Sequence, residues 1–289
     1  MANITAAMVK ELREMTNVGM MECKKALTEA DGDMEKAVDI LRTRGLAAAA
    51  KKAGRATNEG TVMVKVNDDH TKGAMIELNC ETDFVGTNEV FVGYAAKICQ
   101  AALESGAADV EALKAVEVEG ETVEAILTDA IHKLGENMQL SRVVTVEGGY
   151  VAPYIHMGGK RGVLVTFNIG DAATGTKDEF VTMSKDIAMQ IAAMNPVSVG
   201  REDVPADIVA HEMEIYKAQA AESGKPENIQ EKIATGRMEK FYKENCLLEE
   251  AFVKDGDKTV GGLVNEVAKA TGDTIEVVSF EHFVLGENE

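Results

Sequence analysis

The chain has 289 residues, 45% of them apolar and 4% aromatic, with no Trp and a net charge of −19. That length and apolar content can bury a sizeable core of Val, Ile, Leu, Met and Ala, as one large domain or two to three small ones. The acidity argues against nucleic acid or an anionic membrane as a main partner, because both need clustered cations.

The charge is uneven: residues 1–55 hold ten Lys/Arg and eight Asp/Glu, net +2, so the remainder carries −21, which sets an N-terminal module apart. Four Cys (Cys23, Cys80, Cys99, Cys246) lie far apart with no Cys-x-x-Cys pair, so neither a zinc ribbon nor a thioredoxin-type site is supported. Reduced thiols in a cytoplasmic protein are expected. The start, Met-Ala-Asn-Ile-Thr, lacks the features of a signal peptide, and no apolar run reaches membrane-spanning length.

The first 45 residues read as three short helices. Met8, Val9, Leu12 and Met15 share one helical face; Cys23, Leu27 and Ala30 share a second; Met34, Ala37, Val38 and Leu41 share a third. Asn17-Val18-Gly19 separates the first two, Asp33 is placed to cap the third, and Gly45 stands where that helix should stop. Residues 46–59, Ala-rich with Lys51, Lys52 and Arg55, read as a solvated helical linker.

Sliding the chain by 89 positions brings out an internal repeat. Gly60-Thr61-Val62 overlies Gly149-Tyr150-Val151, the strand 74–78 overlies 163–167, and Phe91-Val92 overlies Phe180-Val181. Nine of 45 pairs are identical over residues 59–103, but strand, strand, loop and helix stay in register without a gap. The expected architecture is therefore α+β: a three-helix module over 1–45, then two related subdomains over 60–140 and 141–289, each an antiparallel hairpin backed by helices.

Within the second subdomain, two helices around Ser223-Gly224-Lys225-Pro226 predict an inserted antiparallel helical hairpin over about 205–248. A helix over 260–270 and a strand over 274–285 close the chain. The repeat also isolates what is not shared. After its strand the first copy carries Thr82-Asp83-Phe84-Val85, whereas the second carries Asp171-Ala172-Ala173-Thr174. Phe84 behind Asp83 reads either as local core or as a wedge aimed at another molecule, and Asp83 as a helix N-cap or a partner contact.

No catalytic constellation stands out. The five His are scattered, and His211-Glu212 lacks the second His of a zincin helix because residue 215 is Ile. Gly158-Gly159-Lys160 lacks the upstream Gly and following Ser/Thr of a phosphate loop and reads as a turn between paired strands. No cofactor is expected, and a binding protein is favoured over an enzyme.

Two segments carry a resemblance. Residues 16–27, Thr-Asn-Val-Gly-Met-Met-Glu-Cys-Lys-Lys-Ala-Leu, and residues 78–85, Leu-Asn-Cys-Glu-Thr-Asp-Phe-Val, closely resemble the two signatures of bacterial elongation factor Ts. The departures are Asn17-Val18 where Gly-Ala is commoner, and Glu22 and Glu81 for Asp and Gln. A further C-terminal helical module found in some members is not expected here.

The resemblance implies a non-enzymatic guanine-nucleotide exchange factor for elongation factor Tu, which engages its GDP-bound and nucleotide-free forms. The three-helix module, like a ubiquitin-associated domain, would dock through Leu12, Met20 and Met21. The turn containing His156, Gly159 and Arg161 would touch another partner domain, and Thr82, Asp83, Phe84 and Val85 would dislodge the partner's Mg²⁺. A dimer or a two-to-two assembly is left open. The competing readings are a non-catalytic adaptor or scaffold and an enzyme with an unseen acid/base pair.

Overall fold

The computed structural model describes residues 4–16, 18 and 20–287. Asn17 and Gly19, read above as part of a helix separator, lie outside them. The chain opens with helices α1 (Ala6–Thr16), α2 (Met20–Glu29) and α3 (Met34–Lys52). Their inward faces, including Val9, Leu12, Cys23, Leu27, Ala37 and Leu41, make one small core. Asp33 caps α3 as expected, its carboxylate accepting from Lys36 N at 3.1 Å.

Helix α3 does not stop at Gly45. It runs on to Lys52, through a stretch of Ala that favours helix. Gly45 is buried against a later helix, and a Cβ there would make ordinary van der Waals contact with Thr128 and His132 at 3.7–3.8 Å. The expected linker is therefore, in its first half, a helical continuation of α3.

The first α+β unit contains β1 (Glu59–Val66), β2 (Lys72–Cys80), the single-turn helix α4 (Asp83–Gly86), α5 (Glu89–Ser105) and α6 (Val110–Lys114). It continues with the small hairpin β3–β4 (Glu117–Val118, Glu121–Thr122), α7 (Val123–Leu134) and β5 (Met138–Glu147). Its antiparallel sheet has the order β1-β2-β5. Strand β5 pairs with β2 along its whole length, so the subdomain division expected after residue 140 cuts through a strand; by pairing, the first unit extends to Glu147.

The second unit contains β6 (Tyr150–His156), β7 (Arg161–Ile169), α8 (Asp178–Met194), the hairpin helices α9 (Ala206–Ala221) and α10 (Glu227–Asn245), the short pair β8–β9 (Ala251–Phe252, Asp255–Thr259), α11 (Val260–Thr271) and β10 (Ile275–Val284). Its sheet has the matching order β6-β7-β10.

The duplication is closer in three dimensions than in residue identity. Strand β7 and helix α8 repeat the bounds of β2 and α5 at one constant offset along the chain. Helix α11 and strand β10 repeat the bounds of α7 and β5 at a second, larger offset. The difference between the two offsets is the insertion that holds the α9–α10 hairpin. Even the irregularity repeats: Ser141 is skipped where β5 pairs with β2, and Val278, its counterpart at the larger offset, where β10 pairs with β7. The hairpin has its own small core of Val204, Met238, Phe241 and Cys246. Arg201 at its root bonds Glu249 at 2.7 Å and also reaches Glu239.

Alternation along β2 points Ala74, Ile76 and Leu78 at α5 and α7, while Met75 points the other way. The two sheets pack face to face on that other side through Val62, Val64 and Met75 from the first and Val151, Leu164 and Phe283 from the second. The layers are helix, sheet, sheet, helix, which is why β2 and β7 are buried on both faces.

This contact has local two-fold character. Val151 N donates to His70 O at 2.6 Å, and Val62 N donates to Gly159 O at 2.7 Å, the same bond with the two copies exchanged. A Cβ on Gly73 would come within 2.8 Å of Val151 and 2.9 Å of Leu164; one on Gly162 would come within 2.4 Å of Val62 and 2.9 Å of Met75. Each copy thus offers the same Gly-lined patch to the other, as in an isologous dimer interface.

Candidate functional site

Strand β2 ends at Cys80, and the chain turns at once into α4. Thr82 is the N-cap: its Oγ1 accepts from Val85 N at 3.4 Å. That assigns the cap to Thr82 and corrects the reading of Asp83 as the cap. Asp83 occupies the first helical position, exposed, where a carboxylate also suits the positive end of the turn. Val85 is half-buried and packs on the first unit's core.

Phe84 is 83% exposed, the most exposed of the large apolar side chains in the described residues. It is not local core. Tight backbone contact holds the turn beneath it: Gly86 lies on Gly60, and a Cβ at Gly86 would come within 3.1–3.3 Å of the Gly60 backbone. Gly60 itself has φ +138° and passes so close to Leu78 O that a Cβ would sit 2.2 Å away.

Two carboxylates clamp this loop. Glu136 Oε2 accepts from Glu81 N and from Thr82 N, each at 3.0 Å, and its Oε1 accepts from Thr82 Oγ1 at 2.6 Å. In return Glu81 Oε1 accepts from Asn137 N at 2.6 Å and pairs with Arg55 at 3.3 Å. The Asn137 amide holds the Glu81 carboxyl below its usual range; burial opposes this, and the Arg55 charge adds to the lowering. Asn137 Nδ2 donates to Arg55 O at 2.8 Å, so the segment leaving α3 is tied to the same loop. Cys80, under the loop, has its thiol pushed up to about 12 by burial and then by the neighbouring Glu136 charge. It is an inert packing group, like the other three buried free Cys.

The β6–β7 turn lies at the same end of β1 as α4. Lys160 Nζ meets Glu59 Oε2 at 2.6 Å, one residue before Gly60. Gly159 is buried with φ +96°, and a Cβ there would strike Thr61 Oγ1 at 2.0 Å. Its tight fit against Thr61 fixes the turn. His156 is exposed and bonds Tyr154 Oη through Nδ1 at 3.1 Å. Arg161 donates to Ala192 O at 3.1 Å, tying the turn to the end of α8. The turn's exposed apolar group is Met157, 72% exposed, which sequence reading misses because a single Met in a Gly-rich turn carries no periodicity.

On the three-helix module, Met20 and Met21 are 57% and 67% exposed, side by side at the start of α2, and Met15 near the end of α1 is exposed as well. The core face of α2 is instead Cys23, Ala26 and Leu27. Leu12 is fully enclosed and holds α1 in the bundle. Met21 borders a shallow groove with Lys24, Lys25, Thr28 and Arg44. A cleft of about 320 Å³, reached from Met15, separates the module from α7 and is lined also by Val38, Leu41, Ala125 and His132. Among the described residues, no cluster of three or more His, Cys, Asp or Glu is arranged to hold a metal ion, and no helix is long and apolar enough to cross a membrane.

A Phe presented on a rigid turn, with an exposed carboxylate beside it and exposed methionines on a separate helical module, marks out a duplicated α+β protein. Residues 81–287 match the family model described as Elongation factor TS. Proteins named Elongation factor Ts from Clostridioides difficile (strain 630) and Clostridium perfringens (strain SM101 / Type A) are 50% and 48% identical to it. The first alignment covers 99% of this chain and 94% of the relative, the second 98% and 93%. A relative of the same name from Trichlorobacter lovleyi is 48% identical over 98% of this chain. The chain belongs to the elongation factor Ts family of translation factors.

Proposed function

We propose that this chain is a guanine-nucleotide exchange factor for elongation factor Tu, and that Phe84 is the group that opens the partner's nucleotide site. The observation that carries the reading is the exposed Phe84 ring on a turn fixed by the Glu136 clamp and the Gly60–Gly86 contact. An aromatic ring left in water on so rigid a support is suited to a pocket on another protein.

The GDP form of the partner holds Mg²⁺ between phosphate, protein oxygens and water. Magnesium demands near-octahedral geometry, so a small displacement of the supporting shell costs much of its binding. Phe84, inserted between partner side chains, shifts that shell. Asp83, whose carboxylate has no hydrogen bond or ion pair within the described residues, then holds the shifted partner by accepting hydrogen bonds. Thr82 and Val85 set the turn from which both act. Met20 and Met21 dock the three-helix module on the partner's nucleotide domain, where flexible thioethers adapt to an apolar groove. His156, with Met157 and Arg161 nearby, meets a second partner domain.

Energy is conserved by linkage. If the factor weakens GDP binding a given number of fold, GDP weakens the factor's binding equally; a ~10³-fold effect is about 4 kcal/mol. GTP, and then aminoacyl-tRNA, expels the factor. The test is release of a fluorescent GDP analogue from elongation factor Tu with and without the chain. Substoichiometric chain should accelerate release with turnover. Binding without acceleration would leave an adaptor and contradict the proposal.

A further inference from the structure

We propose that Glu136 is a positioning residue for exchange: a carboxylate that acts through Phe84 by fixing the turn on which the ring stands. The inference rests on the exchange reading above and extends it to a residue outside both sequence signatures. Glu136 is distant from Thr82 in the chain, yet its two oxygens take both backbone amides that enter α4 and the Thr82 hydroxyl. Hydrogen bonds to an ionised acceptor are shorter and stronger than neutral ones.

The duplication supplies an internal control. Asp273 is the counterpart of Glu136 at the larger repeat offset, and Asp171 is the counterpart of Thr82 at the smaller one. Asp273 Oδ2 accepts from Asp171 N at 3.0 Å. The second copy therefore keeps a carboxylate on the equivalent amide, but its turn presents Ala173 where the first presents Phe84. The first copy adds the bonds from Glu81 N and Thr82 Oγ1 and the return bond from Asn137 N to Glu81. The reinforced clamp accompanies the ring.

The test is the maximal rate of fluorescent-GDP release from elongation factor Tu, together with the concentration of chain that half-saturates it. Glu136→Gln removes the charge and replaces one acceptor oxygen by a donor. It should lower the maximal rate roughly tenfold, equivalent to about 1.4 kcal/mol, and leave half-saturation unchanged. The double variant Phe84→Ala/Glu136→Gln should be no slower than Phe84→Ala alone, because a residue acting through the ring has nothing left to position. Asp273→Asn, on the copy without a Phe, should leave the maximal rate at the parent value.

An unchanged maximal rate in Glu136→Gln overturns the inference, and so does a double variant slower by the product of the single effects. If Phe84→Ala itself leaves release unchanged, the exchange reading fails and this inference falls with it; a slow Phe84→Ala beside a normal Glu136→Gln sinks the inference alone. If Glu136→Gln does not fold, Thr82→Val, which removes the hydroxyl partner of the same carboxylate, takes its place. It should slow release through Phe84 in the same non-additive way, with Thr82→Ser restoring it; a normal rate in Thr82→Val overturns the inference.

Discussion

Leu12 and Met21 lie on neighbouring helices of one small module, but only burial distinguishes their work. Leu12 is enclosed on all sides, so Leu12→Ala should cost about 2–5 kcal/mol, read as a lower unfolding midpoint of the module. Met21 faces solvent, and Met21→Ala should change stability by no more than about 0.5 kcal/mol while weakening partner binding. Helical periodicity puts Leu12 on the apolar face, where the structure buries it completely. Phe84 is ambiguous in sequence because an aromatic after a strand fits a core as well as a contact site, and only its exposure separates the two.

Glu250 is a second residue whose burial decides its behaviour. It lies at the foot of the helical hairpin. One carboxyl oxygen accepts from Gln190 at 2.9 Å, while Oε1 has no hydrogen-bond partner among the described residues. Burial raises its pKa above the ordinary 4.5, and the Gln190 bond only partly opposes this. The folded chain thus holds this proton more tightly than the unfolded chain. Its contribution to stability is lost as pH rises from the ordinary value through the raised one. In Glu250→Gln that part of the slope should vanish, and the variant should be more stable than the parent at neutral pH. Unfolding free energies measured across this interval check it; identical slopes would contradict the assignment.

Among the elements, strands and helices within the repeat are legible because period-2 and period-3.6 patterns coincide at one fixed offset in two places. The third strand of each sheet shows the limits of that signal. The terminal strand is readable from its alternation, but β5 is not, and its pairing with β2 moves the end of the first unit to Glu147. Pairing partners far apart in the chain leave no local pattern. The same holds for the Glu136 clamp and for Gly159, whose neighbour Thr61 comes from the other sheet.

Gly73 and Gly162 test the two-fold contact directly. Gly162→Ala places a methyl group 2.4 Å from Val62 Cγ1, and such overpacking should cost about 1–3 kcal/mol in thermal or denaturant unfolding. Gly73→Ala should act in the same direction with a smaller loss, since its closest approach is 2.8 Å.

A Gly inside a helical pattern commonly signals an end, but α3 continues through Gly45 to Lys52, into a run of strong helix formers. Gly45→Pro breaks that helix at a cost of about 3 kcal/mol or more. Because α3 joins the methionine surface to Arg55 and the Glu81 loop, the break should raise the concentration of chain needed for half-maximal exchange. An unchanged concentration would show that the module docks without a fixed orientation.

In the whole molecule, two sheets back to back place the single Phe-bearing turn and the Met157 turn at one end of β1, and the α3 helix ties the three-helix module to the same loop through Arg55. One copy of the duplicated unit thus carries the ring, and the other supplies the turn beside it. The central claim is that the Phe84 ring works on the partner's magnesium site, and it makes a specific demand on the cation. GDP release from elongation factor Tu should be measured with parent and Phe84→Ala chains, first in millimolar Mg²⁺ and then in excess EDTA. The account predicts that Phe84→Ala is much slower in Mg²⁺ and nearly equal to the parent in EDTA, where the ion is already gone. An equal deficit under both conditions, or none in Mg²⁺, would contradict it.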